Sequence, residues 1–522
     1  MCCKPWLLSP TDSSNMQLPN HLPHPRRWIL AHTLVPACAT GLLWVSSPYQ
    51  VTLAQAVAAF LLAWMPWTSY CHWKGGDRQG VPLFTFISGM YWIAYALPLF
   101  WGSREIGLIY GTDHLPPDAI TASLWLVVLG VTVLWAGMAA ASRALWVPKT
   151  RIDISQTGAD WQYLRIVFLA VIAVRILFPI TALGAGGRQI LANLETIVPA
   201  AIFAILLRQY LGRQATDMDK LLIFGYALLG VAMGMSSGWL GSFVGLGVVA
   251  VVAYVYERRR LPAAAIFLLV PAVLFFQPAK GNFRQHYWER DSSAGYGERA
   301  FYWVSESWRM WSGAFSDSSG QEIQSMLQES LDRLSLLQQT AHVLDMTPSR
   351  VPYQYGKLYS YIGVTFIPRF LWPDKPSMND ANQWYQVTYG LTAPDSLSSV
   401  SIAVGSLAES YISFGWLGPL FIMFPFGYFL GSMQRVVLRV EAGLLFSCVG
   451  AALVPQFLAV ESQMAQYVAG LAQQILVAVL VLLPVLKLRA SAKRRRIPAY
   501  SNSLNVLGRR DSLLESPAPP RP

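Results

Sequence analysis

Residues 119–142 read AITASLWLVVLGVTVLWAGMAAAS, twenty-four residues in a row without a charge. As a helix, about 20 apolar residues rise ~30 Å, the thickness of a bilayer's hydrocarbon core. This stretch therefore predicts a membrane-crossing helix. Similar runs cover 28–45, 51–69, 81–101, 161–183, 189–207, 219–235, 238–256, 260–277, 414–433, 441–461 and 464–488, twelve predicted spans in all. Ser236-Ser237-Gly238 alone separates the seventh from the eighth, which read either as two helices or as a broken, re-entrant pair. The fold class expected is an all-α polytopic integral membrane protein.

Composition agrees. Of 522 residues 54% are hydrophobic and 13% charged, and mean hydropathy is +0.38. Soluble domains carry roughly 25% charged residues, so a soluble enzyme, a disordered scaffold and a free nucleic-acid binder are excluded. The net charge of +11 is not a nucleic-acid signal, because the excess sits in short segments between apolar runs, such as Arg258-Arg259-Arg260 and Lys493-Arg494-Arg495-Arg496. Basic cytoplasmic loops produce that pattern.

The loops holding Lys74/Arg78, Arg143/Lys149/Arg151, Arg208/Arg213/Lys220, Arg258 to Arg260 and Arg435/Arg439 alternate with loops poor in Lys and Arg. Twelve crossings with both termini cytoplasmic satisfy that alternation. The expected organisation is a cytoplasmic segment over 1–27, nine spans within 28–277, an extracytoplasmic segment over 278–413, three spans within 414–488, and a basic, then disordered, cytoplasmic tail over 489–522. Cys2, Cys3, Cys38, Cys71 and Cys448 show no metal-ligand spacing, and a disulfide framework is not expected. Cys2-Cys3 is a lipidation candidate that a start at Met16 would remove, and no cleavable signal peptide is expected.

The outer segment holds 10 Lys/Arg against 13 Asp/Glu and is rich in Trp and Tyr. Ile323, Leu327, Leu331, Leu334, Leu337 and Ala341 recur at helical spacing, which predicts one amphipathic helix over 321–345. Phe301 to Phe315 form a second, aromatic stretch of interfacial character. No internal repeat is visible, which weakens a transporter of two matched halves.

Charged residues inside spans are costly. Arg175 and Glu195 are expected ~12 Å and ~9 Å below the outer surface, from ~1.5 Å per helical residue. They read either as a structural ion pair or as a cavity in which Arg175 holds an anionic headgroup. Lys280 and Arg284, four residues apart, share a helical face at the outer headgroup layer and suit a pyrophosphate, or equally an anchor to lipid phosphates. The stretch Ile367-Pro368-Arg369-Phe370-Leu371-Trp372-Pro373-Asp374-Lys375-Pro376 cannot be a regular helix. It is a stiff loop presenting Arg369, Asp374 and Lys375 around Trp372, a sugar-phosphate clamp or a structural corner. Glu409, at the outer boundary of the tenth span, is a general-base candidate or a helix-start residue. Asp217-Met218-Asp219 has the D-x-D pattern of metal-dependent transferases but more simply fronts a helix. The seven His lack paired zinc spacing, there is no P-loop, and only His286, beside Arg284, is kept as a site candidate.

Taken in order, Lys280…Arg284, Asp332-Arg333, Thr347-Pro348, Pro352…Gly356…Tyr359, the proline-rich stretch at 367–376, and Glu409-x-Tyr411-x-x-Phe414-Gly415-x-x-Gly418 resemble the O-antigen/oligosaccharide repeat-unit polymerases (Wzy type) of bacterial envelopes. The likeness is sharp over about 280–420. It departs at one point: an arginine followed sixteen residues later by glycine, found in outer loops of some such polymerases, is not evident.

The resemblance implies a GT-C-like glycosyltransferase in the bacterial inner membrane, with its active site facing the periplasm. Its substrates would be undecaprenyl-pyrophosphate-linked glycans. A sugar hydroxyl of one repeat unit attacks the anomeric carbon of another chain and displaces lipid pyrophosphate. Lys280, Arg284, Arg333 and Arg369 would stabilise that leaving group, with Arg175 in support. Glu409 would be the base, ahead of His286 and Asp374, and Trp372 and Tyr359 would offer ring faces to sugars. No metal or nucleotide cofactor and no nucleic acid is implied. Membrane lipids, a chain-length regulator and a flippase are the implied partners. An O-antigen ligase using the same donor, and a lipid-linked oligosaccharide flippase, are the competing readings.

Overall fold

The computed structural model describes residues 25–490 except 77–79, 144–149, 155–157, 178–184, 288–293, 318–319, 368–371, 373, 398–401 and 439–442. The helices up to residue 277 are α1 (Pro25–Val45), α2 (Leu53–Gly75), α3 (Leu83–Tyr91), α4 (Leu97–Trp101), α5 (Pro117–Arg143), α6 (Gly158–Leu177), α7 (Ala185–Leu211), α8 (Asp217–Ser237), α9 (Gly241–Arg258) and α10 (Ala263–Phe276). The segment over 278–404 folds as α11 (Lys280–Tyr287), α12 (Tyr296–Ser316), α13 (Gln321–Asp332), α14 (Leu337–Met346), α15 (Ser360–Thr365) and α16 (Asp380–Thr388). The chain closes with α17 (Gly405–Phe414), α18 (Gly418–Val436), α19 (Leu444–Phe457) and α20 (Met464–Leu482). Among the described residues, strand is confined to two antiparallel ribbons, β1 (Glu105–Leu108) with β2 (Gly111–His114) and β3 (Thr150–Ile154) with β4 (Leu486–Ala490).

The protein is an all-α membrane protein. Each predicted apolar run is mostly helix over its described residues, although 464–488 ends in β4. Six helical segments among the described residues are long and apolar enough to cross a bilayer: Leu83–Trp101, Pro117–Arg143, Gly187–Leu211, Asp217–Ser237, Gly405–Val436 and Met464–Val485. The α10–α11 pair passes only as a unit bent by 53°. Pro278, which has no N–H to continue a helix, lies in that bend. The α8–α9 pair is two separate helices, because Gly238 takes a left-handed φ of 71° and closes α8.

Helix starts follow the local chemistry. Thr52 with Gln55 and Thr216 with Asp219 form capping boxes on α2 and α8. Asp219 also pairs with Arg165 at 2.8 Å, so the D-x-D motif is a helix start held by a neighbouring helix. Between α3 and α4 the segment Trp92–Ala96 is a π-turn, and the Ala94 carbonyl accepts from Leu336 N at 2.9 Å, tying the first residues of α14 to the bundle.

The most extensive helix contact joins α5 to α18, and it depends on residues without side chains. A Cβ at Gly427 would lie 2.1 Å from the Leu134 carbonyl, and one at Gly137 would lie 2.2 Å from the Phe424 carbonyl. Gly427-x-x-x-Gly431 thus lets the two backbones touch. A second group of helices, α6, α9, α19 and α20, packs around α7, and one continuous core runs through both groups.

The predicted helix over 321–345 is instead two helices, α13 and α14. Asp332 accepts from Ser103 N at 2.7 Å and from Gln338 Nε2 at 2.8 Å, which anchors the turn between them to the loop after α4. The predicted boundary at 413/414 falls inside a broken helix. Gly415 adopts φ 60° and ψ −143°, open only to glycine, and α18 resumes at Gly418.

Candidate functional site

α11 directs Lys280 and Arg284 toward the α8–α9 turn. The Arg284 guanidinium lies 4.7 Å, and the Lys280 ammonium 6.0 Å, from the centre of the Trp239 ring. Arg333, just past α13, reaches the same place. Its Nη1 donates to the Gln277 carbonyl at 3.2 Å, its Nη2 pairs with Glu329 at 2.5 Å, and a Cβ on Gly281 would meet Nη2 at 3.1 Å. Three of the four cations expected at a pyrophosphate therefore cluster. Burial first, then Arg284 and Arg333, push Lys280 down to about 8, with Glu461 acting the other way. The fourth cation, Arg369, lies outside the described residues.

Glu409, on α17, is completely buried. Its Oε2 accepts from Met464 N at 2.8 Å, at the first turn of α20, while Oε1 has no hydrogen-bond partner among the described residues. Tyr359 stacks on Phe414, its ring 6.4 Å away and tilted by 7°. Burial and then the Glu409 carboxylate hold the Tyr359 phenol well above its ordinary range. The buried side chains of Gln463 and Tyr467 also carry polar atoms that no described residue satisfies. Buried polar groups are almost always hydrogen-bonded, so the unsatisfied atoms of Glu409 and of Gln463, next to the Met464 that binds it, mark a place suited to a polar guest.

The turn between α19 and α20 joins the two halves. Gly405, at the start of α17, donates its N–H to the Glu461 carbonyl at 3.0 Å, and the Glu461 side chain faces the Lys280 cluster electrostatically. Cations and carboxylate thus flank residues 461–464. Sequence reading missed Glu461, Gln463 and Trp239, whose only signals are brief polar or aromatic interruptions between apolar runs.

Other expected residues are engaged elsewhere. His286 stacks on Tyr302 at 4.7 Å, on the opposite side of α11 from Arg284. Lys375 donates to the carbonyls of Ile367 at 2.7 Å and Val364 at 3.3 Å, capping α15 rather than presenting its charge. Asp374 and Trp372 are exposed on the same loop. Arg175 and Glu195 line one half-open cavity between helices. Among the described residues no three His, Cys, Asp or Glu side chains converge as metal ligands.

Residues 109–454, about two thirds of the chain, match the family described as a domain of unknown function, DUF8712. The chain belongs to the DUF8712 family. No curated protein and no solved structure matches it. The DUF8712 region runs from the β1–β2 hairpin into α19 and carries Arg175, Lys280, Arg284, Arg333, Tyr359 and Glu409. The 461–464 turn that joins the two halves lies just beyond the DUF8712 match.

Proposed function

We propose that this protein polymerises undecaprenyl-pyrophosphate-linked oligosaccharide repeat units into O-antigen, capsule or exopolysaccharide at the outer face of a bacterial inner membrane. The observation that carries the reading is the cluster of Lys280, Arg284 and Arg333 across the 461–464 turn from a buried carboxylate with a free oxygen. In the reaction an acceptor hydroxyl bonds to the anomeric carbon of the donor, the bond to the pyrophosphate oxygen breaks, and Glu409 Oε1 takes the hydroxyl proton. The departing pyrophosphate is already anionic and needs stabilisation rather than protonation, which three gathered cations supply. Tyr359 and Trp372 give flat faces for sugar rings.

Twelve crossings with both termini cytoplasmic belong to this reading. In its support, tertiary contacts sort the connecting segments into two sets. The predicted outer segments touch one another: Ser47 with Phe100, Tyr49 with Gln328, Ser103 with Asp332, Ile109 with Gly390 and Gly405 with Glu461. The predicted inner segments do likewise: Arg208 with Glu257, Arg258 with Leu211, Gln434 with Val81, Arg435 with Ala141 and β3 with β4.

The test is purified protein in detergent supplied with a synthetic undecaprenyl-pyrophosphate repeat unit. A ladder of longer lipid-linked glycans, lost in Arg284→Ala, is expected. Transfer only when a lipid A-core acceptor is added would make the protein a ligase. Inactivity in both assays with lipid scrambling in liposomes would make it a transporter.

A further inference from the structure

Inside the bundle, between α6, α7, α8, α9, α19 and α20, lies a cavity of about 280 Å³. At ~30 Å³ of liquid per water it has room for roughly nine waters, or for one small polar group. Arg175, Glu195, Thr196, Gln456 and Gln474 form its polar wall. Arg175 and Glu195 come from adjacent helices, yet no ion pair within 4.0 Å joins them among the described residues. Glu195 is only 7% exposed, and its Oε1 has no hydrogen-bond partner among the described residues. Thr196 is already committed to the Ala192 carbonyl at 2.7 Å.

A cation and an anion that line one intramembrane cavity without direct contact are costly unless something of complementary charge fills the space. Were their role only to neutralise each other, direct contact would be the cheapest arrangement. Both charges line the cavity without an ion pair within 4.0 Å, which suits a guest that is itself a zwitterion. The two helices that supply Arg175 and Glu195 also carry exposed apolar side chains, Val174, Ile176 and Leu177 on α6 and Ile190 on α7. A guest carrying acyl chains fits them, and a soluble zwitterion does not need them.

We propose that this cavity binds the headgroup of a primary-amine phospholipid, its phosphate on Arg175 and its ammonium on Glu195, with the chains along the α6–α7 flank. A quaternary ammonium has no N–H to give Glu195, and a glycerol headgroup has no cation, so phosphatidylcholine and phosphatidylglycerol are the discriminating probes. The site is independent of the glycan reading and stands or falls without it.

Native mass spectrometry of the full chain, with phosphatidylethanolamine, phosphatidylcholine and phosphatidylglycerol in equal competition, tests the proposal on the unaltered protein. Preferential retention of phosphatidylethanolamine is expected. Glu195→Gln is expected to weaken that lipid roughly tenfold or more, the worth of a charge-assisted hydrogen bond, and to leave phosphatidylglycerol unchanged. Arg175→Gln is expected to weaken both. Equal retention of the three lipids by the unaltered protein, or no retention, would overturn the proposal and leave a water-filled cavity. Thermal unfolding of each variant separates lost binding from lost fold, and the competition on the unaltered chain decides even if both variants unfold.

Discussion

Burial and two neighbouring guanidinium groups bring the Lys280 ammonium down to about 8. Below that pH the lysine is charged, and above it the cluster keeps only Arg284 and Arg333. If the charge stabilises a departing pyrophosphate, polymerisation rate should fall as pH rises through about 8. Lys280→Arg holds its proton at every working pH and should remove that alkaline limb; an unchanged pH–rate profile would exclude Lys280 from the reaction. Glu409→Gln is expected to lower turnover by roughly 10²–10⁴-fold, the usual contribution of a general base. Its amide oxygen can still accept from Met464 N, so the thermal midpoint should hold. Full activity in this variant would reduce Glu409 to a cap on α20. Residue by residue, the sequence allowed the Lys280–Arg284 pair to be read because four residues of helix return to one face. By the same geometry His286, two residues on from Arg284, points away. Lys375 reaches the nearby carbonyls of Ile367 and Val364, partners that only the fold reveals.

Among the elements, the glycines of the Phe414-Gly415-x-x-Gly418 stretch have plain structural duties. Gly415 turns the chain through a conformation other residues avoid, and a Cβ at Gly418 would lie 2.1 Å from the Ser410 carbonyl. Gly418→Ala should therefore destabilise the protein, on the order of 1–3 kcal/mol as overpacking usually does, read as a lower thermal midpoint in detergent. Gly427→Leu should cost at least as much, because it forces α18 away from α5. A midpoint unchanged in both would show that these helices separate without penalty. The aromatic stretch Phe301 to Phe315 forms α12, whose Trp303 and Trp311 indoles donate to the Phe276 and Phe275 carbonyls at 3.1 Å. Phe301, Trp308 and Phe315 remain exposed on its other side. The helical pattern at 321–345 was genuine, but periodicity is blind to a turn that preserves the apolar spacing, so the break at 333–336 was not visible.

For the whole molecule, the two sets of mutually touching segments make a topology that can be tested directly. In a chain whose five cysteines are replaced by serine, Asp113→Cys and Gln214→Cys both place the new residue at an exposed position. An impermeant maleimide added to intact cells should label the first and spare the second, and the labelling should reverse in inside-out vesicles. Labelling of both from one side would overturn the twelve-span arrangement.

The helical membrane class and the positions of the apolar runs were readable from the chain, and loop charge carries the proposed sidedness. Hydrophobic length and loop charge are local quantities, set by the bilayer's thickness and by segments a few residues long. The site was readable only in fragments. Arg333 lies 49 positions beyond Arg284, and Glu409 meets a turn 55 positions farther on. Charges carry no record of which distant segment will face them, so only helix packing brought Lys280, Arg284 and Arg333 together and set them across the 461–464 turn from Glu409. The same packing set Arg175 and Glu195 in the wall of one cavity.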